Sequence, residues 1–185
     1  TQEGLYQHYK KINDNVGIPI IIYNIPSRSV IDMSVDTMSK LFELKNIIGV
    51  KDATGDLNRA DQQLKIMGKE FVMLTGEDGN ALEFNKRGGS GCISVTANVA
   101  AKLCSEMQNA SLARTDEKLQ KRASEINKLL APLNKSLFIE SNPSPVKYAA
   151  SLLKLSTDDV RLPLVKITEP TKSAVLQALK HTQLI

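Results

Sequence analysis

Three side chains suited to carbonyl chemistry follow short apolar segments of the chain. Lys51 comes directly after Ile47–Val50 and precedes the small, turn-forming run Asp52–Gly55. Tyr23 ends a second apolar segment, and Arg28 follows in the turn sequence beyond it. We expect both segments to be strands, so that an amine, a phenol and a guanidinium lie just past strand ends and can converge on one pocket.

These three groups predict imine chemistry at a ketone. Lys51 can attack a carbonyl only as the neutral amine, so the protein must remove it from water or place positive charge nearby. The resulting imine makes an adjacent methyl group acidic, and the hydroxyl of Tyr23 can carry protons for that step. Arg28 suits a carboxylate, because its planar group donates two parallel hydrogen bonds.

Each residue also has an ordinary structural interpretation. A lysine after an apolar strand is usually a solvated strand terminus, a lone tyrosine usually packs with its hydroxyl satisfied, and an arginine in a turn usually lies on the surface. The glycine cluster Gly88–Gly91 precedes an apolar segment instead of opening a helix, so it predicts a turn and not a phosphate site. The chemical interpretation depends on the three side chains sharing the C-terminal side of parallel strands, where barrels hold their active sites.

The composition argues against several classes of protein. Of 185 residues, 42% are hydrophobic, and 24 basic residues against 20 acidic ones give a net charge of +4 without the basic stripe typical of nucleic-acid binding. No apolar run approaches the roughly 20 residues that span a bilayer, so we expect a soluble, cytoplasmic protein. Cys92, Cys104, His8 and His181 show no disulfide framework or metal-ligand spacing, and no metal or cofactor is predicted.

Helical and strand patterns alternate through the first half of the chain. Four short apolar segments are predicted strands, at residues 18–23, 47–50, 71–74 and 92–95, and helical periodicities separate them. Beyond residue 98 only helices are expected, at 98–110, 114–131, 144–154 and 171–181, with turns at Pro132, 143–145, Pro163 and Pro170. The pattern predicts an α/β fold with a parallel sheet, followed by a helical C-terminal part.

Four parallel strands cannot close a (β/α)8 barrel, which takes about 250 residues. We therefore expect the chain to hold the second half of a TIM barrel over residues 1–112 and a helical C-terminal domain over 113–185. The sequence begins inside a predicted helix and without methionine, which predicts a fragment, a processed product or an incompletely recorded sequence.

Six sequence motifs carry a resemblance to one enzyme family. They are Tyr23–Arg28, Gly49–Gly55, Thr75–Asp78, Gly88–Asn98, Asn142–Lys147 and Arg161–Leu164. With them the chain resembles the dihydrodipicolinate synthase (4-hydroxy-tetrahydrodipicolinate synthase) family, pyruvate-dependent lyases of the class I aldolase type. The resemblance covers essentially the whole chain but only the later part of the family's sequence, and roughly the first four barrel strands have no counterpart.

The resemblance implies a role for five residues. Lys51 would form the imine with pyruvate, Tyr23 would belong to the proton relay, and Arg28 would bind the carboxylate of L-aspartate 4-semialdehyde. Gly76 and Ile93 match positions whose backbone groups line the pyruvate pocket. The family needs no cofactor, serves lysine biosynthesis through diaminopimelate, and is mostly homotetrameric. The hydroxyl residues that complete the relay fall in the part without a counterpart.

Two alternatives remain beside this interpretation. A sister pyruvate aldolase, such as an N-acetylneuraminate lyase or a keto-deoxy sugar acid aldolase, would share Lys51 and Tyr23, and Arg28 argues against it because those lyases usually have another residue in that loop. The second alternative is a catalytically silent half-barrel or fragment. The absent first half motivates it.

Overall fold

The chain divides into two compact units. The computed structural model describes all residues from 1 to 185, and its units are Thr1–Ile93 and Ser94–Ile185. The domain division predicted between residues 112 and 113 stays a prediction. None of the helices combines the length and the apolar character needed to cross a membrane.

The first unit alternates helices with the strands of one parallel sheet. Its helices are α1 (Gln2–Asn15), α2 (Pro26–Ser29), α3 (Val35–Phe42), α4 (Leu57–Met67) and α5 (Ala81–Lys86), with a 3₁₀ turn at Asp78–Asn80. Its strands are β1 (Ile20–Asn24), β2 (Ile47–Asp52), β3 (Val72–Thr75) and β4 (Gly91–Cys92), adjacent in that order and all parallel. The predicted α/β fold with a parallel sheet is confirmed.

Local sequence signals set the helix ends that frame the sheet. The Ser34 hydroxyl accepts a hydrogen bond from the Thr37 N–H (3.1 Å) at the start of α3, and an Asp56 carboxylate oxygen accepts from the Asn58 N–H (2.9 Å) at the start of α4. These bonds satisfy backbone donors that have no partner inside the helix. Gly68 ends α4 with φ at +75°, a conformation that favours glycine. Each of these helix ends is thus set by residues within its own turn.

The core of the first unit lies between one face of the sheet and the helices. Ile22, Val50 and Met73 occupy matching register positions on β1, β2 and β3, and all three are buried. They belong to one apolar cluster with Met38 of α3 and Ala60 of α4. Each large apolar side chain buried in this way stabilises the fold by about 1.5–3 kcal/mol relative to its exposed state.

The strands end at different residues from those predicted. The ladder of β1 and β2 continues through Asn24 and Asp52, because Asn24 pairs with Asp52 and Asp52 also pairs with Thr75 of β3. Tyr23 and Lys51 therefore lie within strands, and the expectation that they lie just past strand ends is wrong.

The fourth strand is shorter than predicted and begins earlier. It covers Gly91–Cys92 instead of residues 92–95. The Ser94 hydroxyl accepts a hydrogen bond from the Ala97 N–H (2.8 Å), so the residues after Ile93 belong to the start of the next helix. A cap bond of this kind competes with strand pairing for the same backbone.

The second unit is built from helices. They are α6 (Ala97–Leu112), α7 (Glu117–Ser136), α8 (Ser144–Leu152) and α9 (Glu169–His181). The turn predicted at Pro132 is wrong, since Pro132 lies inside α7. Leu130 and Leu133 on either side of it are fully buried, and this packing holds the helix together although proline removes a backbone donor. Pro170 lies in the first turn of α9, where that donor is not needed.

Candidate active site

Lys51 and Tyr23 meet on the face of the sheet opposite the core. The two residues pair across β2 and β1, so their side chains point to the same side. The Lys51 Nζ lies 3.8 Å from the centroid of the Tyr23 ring, a cation–π distance. Tyr23 is 45% exposed, and the amine takes part in no ion pair. The strands thus present an amine and a phenol together on an open surface.

Gly76 completes the surroundings of the Lys51 side chain. Its N–H donates to the Asp52 carbonyl (2.7 Å), which places it directly after β3 and beside β2. A Cβ atom at this position would lie 3.2 Å from Lys51 Cε and 2.9 Å from Ala53 Cβ. Glycine therefore leaves the space through which the lysine chain reaches the surface.

Ile93 and Arg28 lie on the segments that follow the flanking strands. The Ile93 N–H donates to the Thr75 carbonyl (2.9 Å), which extends the pairing of β4 with β3 by one residue, and the Ile93 side chain is exposed. Arg28 lies on α2, the four-residue helix after β1, and is also exposed. The structure brings Lys51, Tyr23 and Gly76 into contact, joins Ile93 to the end of β3, and puts Arg28 on the helix beyond Tyr23.

The residue after Lys51 lies in a different environment. Asp52 is only 3% exposed and accepts hydrogen bonds through both carboxylate oxygens. Thr54 donates to one oxygen from its N–H (2.9 Å) and from its hydroxyl (2.6 Å). Arg59 Nε (3.2 Å) and Gln63 Nε2 (3.4 Å) donate to the other oxygen. The burial of this carboxylate is thus matched by four donors, as a buried charge requires.

Arg59 links Asp52 to the end of β1. Its guanidinium donates to the Met33 carbonyl (2.6 Å) and to an Asp32 carboxylate oxygen (3.3 Å). The other oxygen of Asp32 accepts from the Asn24 amide (2.8 Å), and the Asn24 amide oxygen accepts from the Met33 N–H (3.2 Å). We call Asn24, Asp32, Asp52 and Arg59 the buried polar network, in which Asn24, Asp52 and Arg59 are buried and Asp32 is the exposed member.

The sequence analysis missed the buried polar network. Its signal was present in the alternation of strand residues, because Asn24 and Asp52 follow Tyr23 and Lys51 and must face the other side of the sheet. A carboxylate on the packed face needs a cationic or hydrogen-bonding partner, which points to an arginine on the helix after β2. Arg59 meets that description.

A second acidic group lies beside Gly76. Burial raises the pKa of Glu77 above its usual value, and the neighbouring carboxylate of Asp78 raises it further. The Glu77 N–H donates to the Thr75 hydroxyl (3.1 Å), and that hydroxyl donates to the Asn80 side chain (2.9 Å). These bonds fix the loop after β3.

The donor groups of the chain do not form a metal site. No three His, Cys, Asp or Glu side chains are grouped so that they could hold a metal ion. Cys104 is buried and Cys92 is partly exposed, and neither forms a disulfide. The chemistry available at the open face is that of an amine nucleophile beside a phenol.

Comparison with known proteins places the chain among related enzymes. Residues 1–182 match the model of the dihydrodipicolinate synthetase family. The 4-hydroxy-tetrahydrodipicolinate synthase of Pelagibacter ubique is 67% identical over 186 residues, covering 100% of this chain and 63% of that protein. The corresponding enzyme of Methylobacterium radiotolerans is 58% identical over 185 residues, covering 100% and 60%.

Solved structures give the same result. Dihydrodipicolinate synthase from Aquifex aeolicus matches with a TM-score of 0.93 and 40% identity, over 100% of this chain and 62% of that one. The enzyme from Acinetobacter baumannii, solved in complex with pyruvate, matches with a TM-score of 0.94 and 41% identity, over 100% and 62%. The chain spans about three fifths of the length of the relatives it matches.

Proposed function

The chain belongs to the dihydrodipicolinate synthetase family, and from this premise we propose that it carries the imine-forming part of a 4-hydroxy-tetrahydrodipicolinate synthase. The complete enzyme would condense pyruvate with L-aspartate 4-semialdehyde in the diaminopimelate route to lysine. One observation carries the proposal: the Lys51 amine lies 3.8 Å from the Tyr23 ring, outside any ion pair and next to Gly76.

Lys51 is the nucleophile in this proposal. Its neutral amine attacks the keto carbon of pyruvate to give a carbinolamine, and loss of water gives a cationic imine. The cationic imine makes the adjacent methyl group acidic, and loss of a methyl proton converts the imine into an enamine. The enamine carbon then attacks the aldehyde carbon of the second substrate, whose oxygen takes up a proton, and the imine to Lys51 forms again. Attack of the second substrate's amino group on the imine carbon closes the product ring and releases the Lys51 amine. No metal ion or organic cofactor enters these steps.

Tyr23 carries protons for these steps in our proposal. The Tyr23 ring lies 3.8 Å from Lys51 Nζ, which supports a place for its hydroxyl near an oxygen bonded to the keto carbon. A positioned proton carrier of this kind contributes about 10²–10⁴-fold to a rate.

Gly76, Ile93 and Arg28 would bind the substrates. The closeness of Gly76 to the Lys51 chain supports a place for its backbone beside bound pyruvate. Ile93 extends the pairing beyond β4, which supports the same role for its backbone groups. Arg28 would hold the carboxylate of aspartate semialdehyde, and its exposed position on the helix after Tyr23 supports this.

We further propose that the complete protein is a (β/α)8 barrel with a C-terminal helical domain. The sheet would supply the second half of that barrel. Two observations support this: β1 and β4 are the edges of the sheet, and the open face exposes Ile21 and Tyr23. A cytoplasmic homotetramer, as in most of the family, belongs to the same proposal.

Exchange of the pyruvate methyl protons with deuterium tests the imine directly. Pyruvate is incubated with the chain in deuterated buffer, and the methyl signal is followed by proton NMR. An enamine made at Lys51 is expected to accelerate the loss of signal, and Lys51→Arg to abolish the acceleration. Lys86→Arg, at an exposed lysine paired with Glu83, is the matched control and should keep the wild-type rate. Equal rates for wild type and Lys51→Arg would reject the proposal.

A catalytically silent half-barrel remains the second candidate. The unpaired edges of β1 and β4 favour it, because such edges invite pairing with another chain. Size-exclusion chromatography with circular dichroism separates the cases. A monodisperse, cooperatively folded assembly without methyl exchange would support the silent candidate, whereas exchange by that assembly would reject it.

A further inference from the structure

The residues after Tyr23 and Lys51 are paired with each other on the packed face of the sheet. Asn24 and Asp52 occupy opposite positions on β1 and β2, and both are buried. Each belongs to the buried polar network, while the residue before it faces the open side. The network thus holds the same stretch of both strands that carries the amine and the phenol.

Arg59 is the centre of the buried polar network. It is 8% exposed and donates to three acceptors, namely Asp52 on β2, Asp32, and the carbonyl of Met33. Asn24 on β1 reaches the same segment, through Asp32 and the Met33 N–H. One planar guanidinium with fixed donor directions therefore connects the ends of two strands, which a lysine could not do with the same geometry.

The backbone ladder of β1 and β2 contains one irregularity. The register of β1 against β2 shifts between Ile20 and Ile21, where the partner changes from Ile47 to Gly49. A shift of one residue turns every side chain to the opposite face of the sheet. The buried polar network joins the strand ends beyond this irregularity, within one residue of Tyr23 and Lys51.

Stability alone does not explain why the Arg59–Asp52 ion pair is buried on this face of the sheet. The neighbouring positions on the same face hold Ile22, Val50 and Met73, and an ion pair buried among such residues often stabilises a fold no better than apolar side chains would. The directed hydrogen bonds of Arg59 do specify one arrangement of the two strands. We infer that Arg59 is a positioning residue, which holds β1 and β2 in the register that stacks Lys51 on Tyr23.

This inference rests on the proposed function, since the stacking matters for catalysis only if Lys51 forms the imine. Its test uses no pyruvate. The lysines of the full chain are dimethylated with ¹³C-labelled formaldehyde and a borane reductant, which keeps their charge, and the Lys51 methyl signal is identified by its loss in Lys51→Arg. The Tyr23 ring is expected to shift this signal upfield, and Tyr23→Leu, which removes the ring, gives the reference position without stacking.

Two variants disturb the network without leaving a buried charge unpaired. The first is Asp32→Ala, which changes a side chain that is 49% exposed. The second is the double variant Arg59→Met, Asp52→Asn, which replaces both buried charges. In both, the Lys51 signal is expected to move to the Tyr23→Leu position. Asp61→Ala is the matched control, because Asp61 is 52% exposed and also pairs with an arginine, Arg87.

The outcomes separate the positioning role of the network from the proposed function. A Lys51 signal that moves no farther in Asp32→Ala than in Asp61→Ala, with circular dichroism showing both folded, overturns the positioning role of the network. If the signal moves as expected while the wild type exchanges no pyruvate protons, the positioning holds and the proposed function fails. If exchange occurs and the signal does not move, the proposed function holds and the positioning fails.

Discussion

The two faces of the β1–β2 pair differ sharply within one residue. On the open face, Lys51 contacts an aromatic ring and has no ion pair. On the packed face, Asp52 accepts four hydrogen bonds and pairs with Arg59. One face is satisfied by internal partners, and the other presents groups that can still react with a ligand.

The difference shows how a strand can separate support from chemistry. Successive strand residues point to opposite sides, so the backbone that Asp52 fixes is also the backbone from which Lys51 projects. Rigid support of this kind lowers the cost of orienting a reacting group. The predictions below test whether the two faces divide the work in this way.

The largest expected effect concerns the packed face. Arg59→Met leaves the Asp52 carboxylate buried without its cation, and we expect it to lower the free energy of unfolding by about 3–5 kcal/mol. Lys51→Met, on the open face, should change it by at most about 0.5 kcal/mol. Urea unfolding followed by circular dichroism measures both. Equal losses of stability would contradict the division between the faces.

Removal of the phenol hydroxyl should affect chemistry and leave the fold unchanged. In Tyr23→Phe the ring remains, so the contact with Lys51 persists and stability is expected to stay within about 0.5 kcal/mol of the wild type. The rate of pyruvate methyl exchange should fall about 10²-fold or more, because the proton carrier is lost. Proton NMR gives the rate, and an unchanged rate would remove Tyr23 from the relay.

A side chain at Gly76 should lower stability moderately and slow the chemistry. In Gly76→Ala the new methyl group would meet Ala53 Cβ at 2.9 Å and Lys51 Cε at 3.2 Å. We expect a loss of about 1–3 kcal/mol in unfolding free energy, as for other overpacked sites, together with slower methyl exchange. Gly79→Ala is the control, since no atom lies within 4 Å of its added Cβ. Similar behaviour of the two variants would refute the crowding argument.

The smallest expected effect is a pH dependence at Glu77. Its pKa is raised from 4.5 in the folded state, so folding binds its proton more tightly and ionisation opposes folding. The penalty is absent below pH 4.5, grows as pH rises through the raised pKa, and stays constant above it. Glu77→Gln should therefore be more stable than the wild type at pH 7 and equal to it at pH 3.5. The difference at pH 7 is expected to be at most about 0.5 kcal/mol, because solvent screens this half-exposed carboxylate. Urea midpoints at the two pH values measure this, and the opposite sign would contradict it.

The sequence predicted the elements of the first unit well because their signals are local. Caps at Ser34 and Asp56, the C-terminal Gly68 and the short apolar strands all act within a few residues. The strand ends were less predictable, because β2 extends to Asp52 through pairing with Thr75 of β3, more than twenty residues away. Pro132 was misjudged for a related reason, since buried neighbours keep α7 helical around it.

The candidate site was likewise predictable only in part. Lys51, Tyr23 and Gly76 could be named from motifs, and the structure brings them together. The buried polar network escaped prediction, because its contacts join Asn24, Asp32 and Arg59 across loops and a helix. The roles of Lys51, Tyr23 and Gly76 in substrate binding and catalysis stay predictions.

Borohydride trapping with pyruvate, read lysine by lysine, tests the central claim most directly. The chain is mixed with pyruvate and borohydride, and the mass of each lysine-containing peptide is followed with time. We predict a pyruvyl adduct at Lys51 that forms faster than at exposed lysines such as Lys45 and Lys69 and is absent from Lys51→Ala. Labelling of Lys51 no faster than of Lys45 and Lys69, or no adduct at all, would contradict the claim that these strands build a reactive amine.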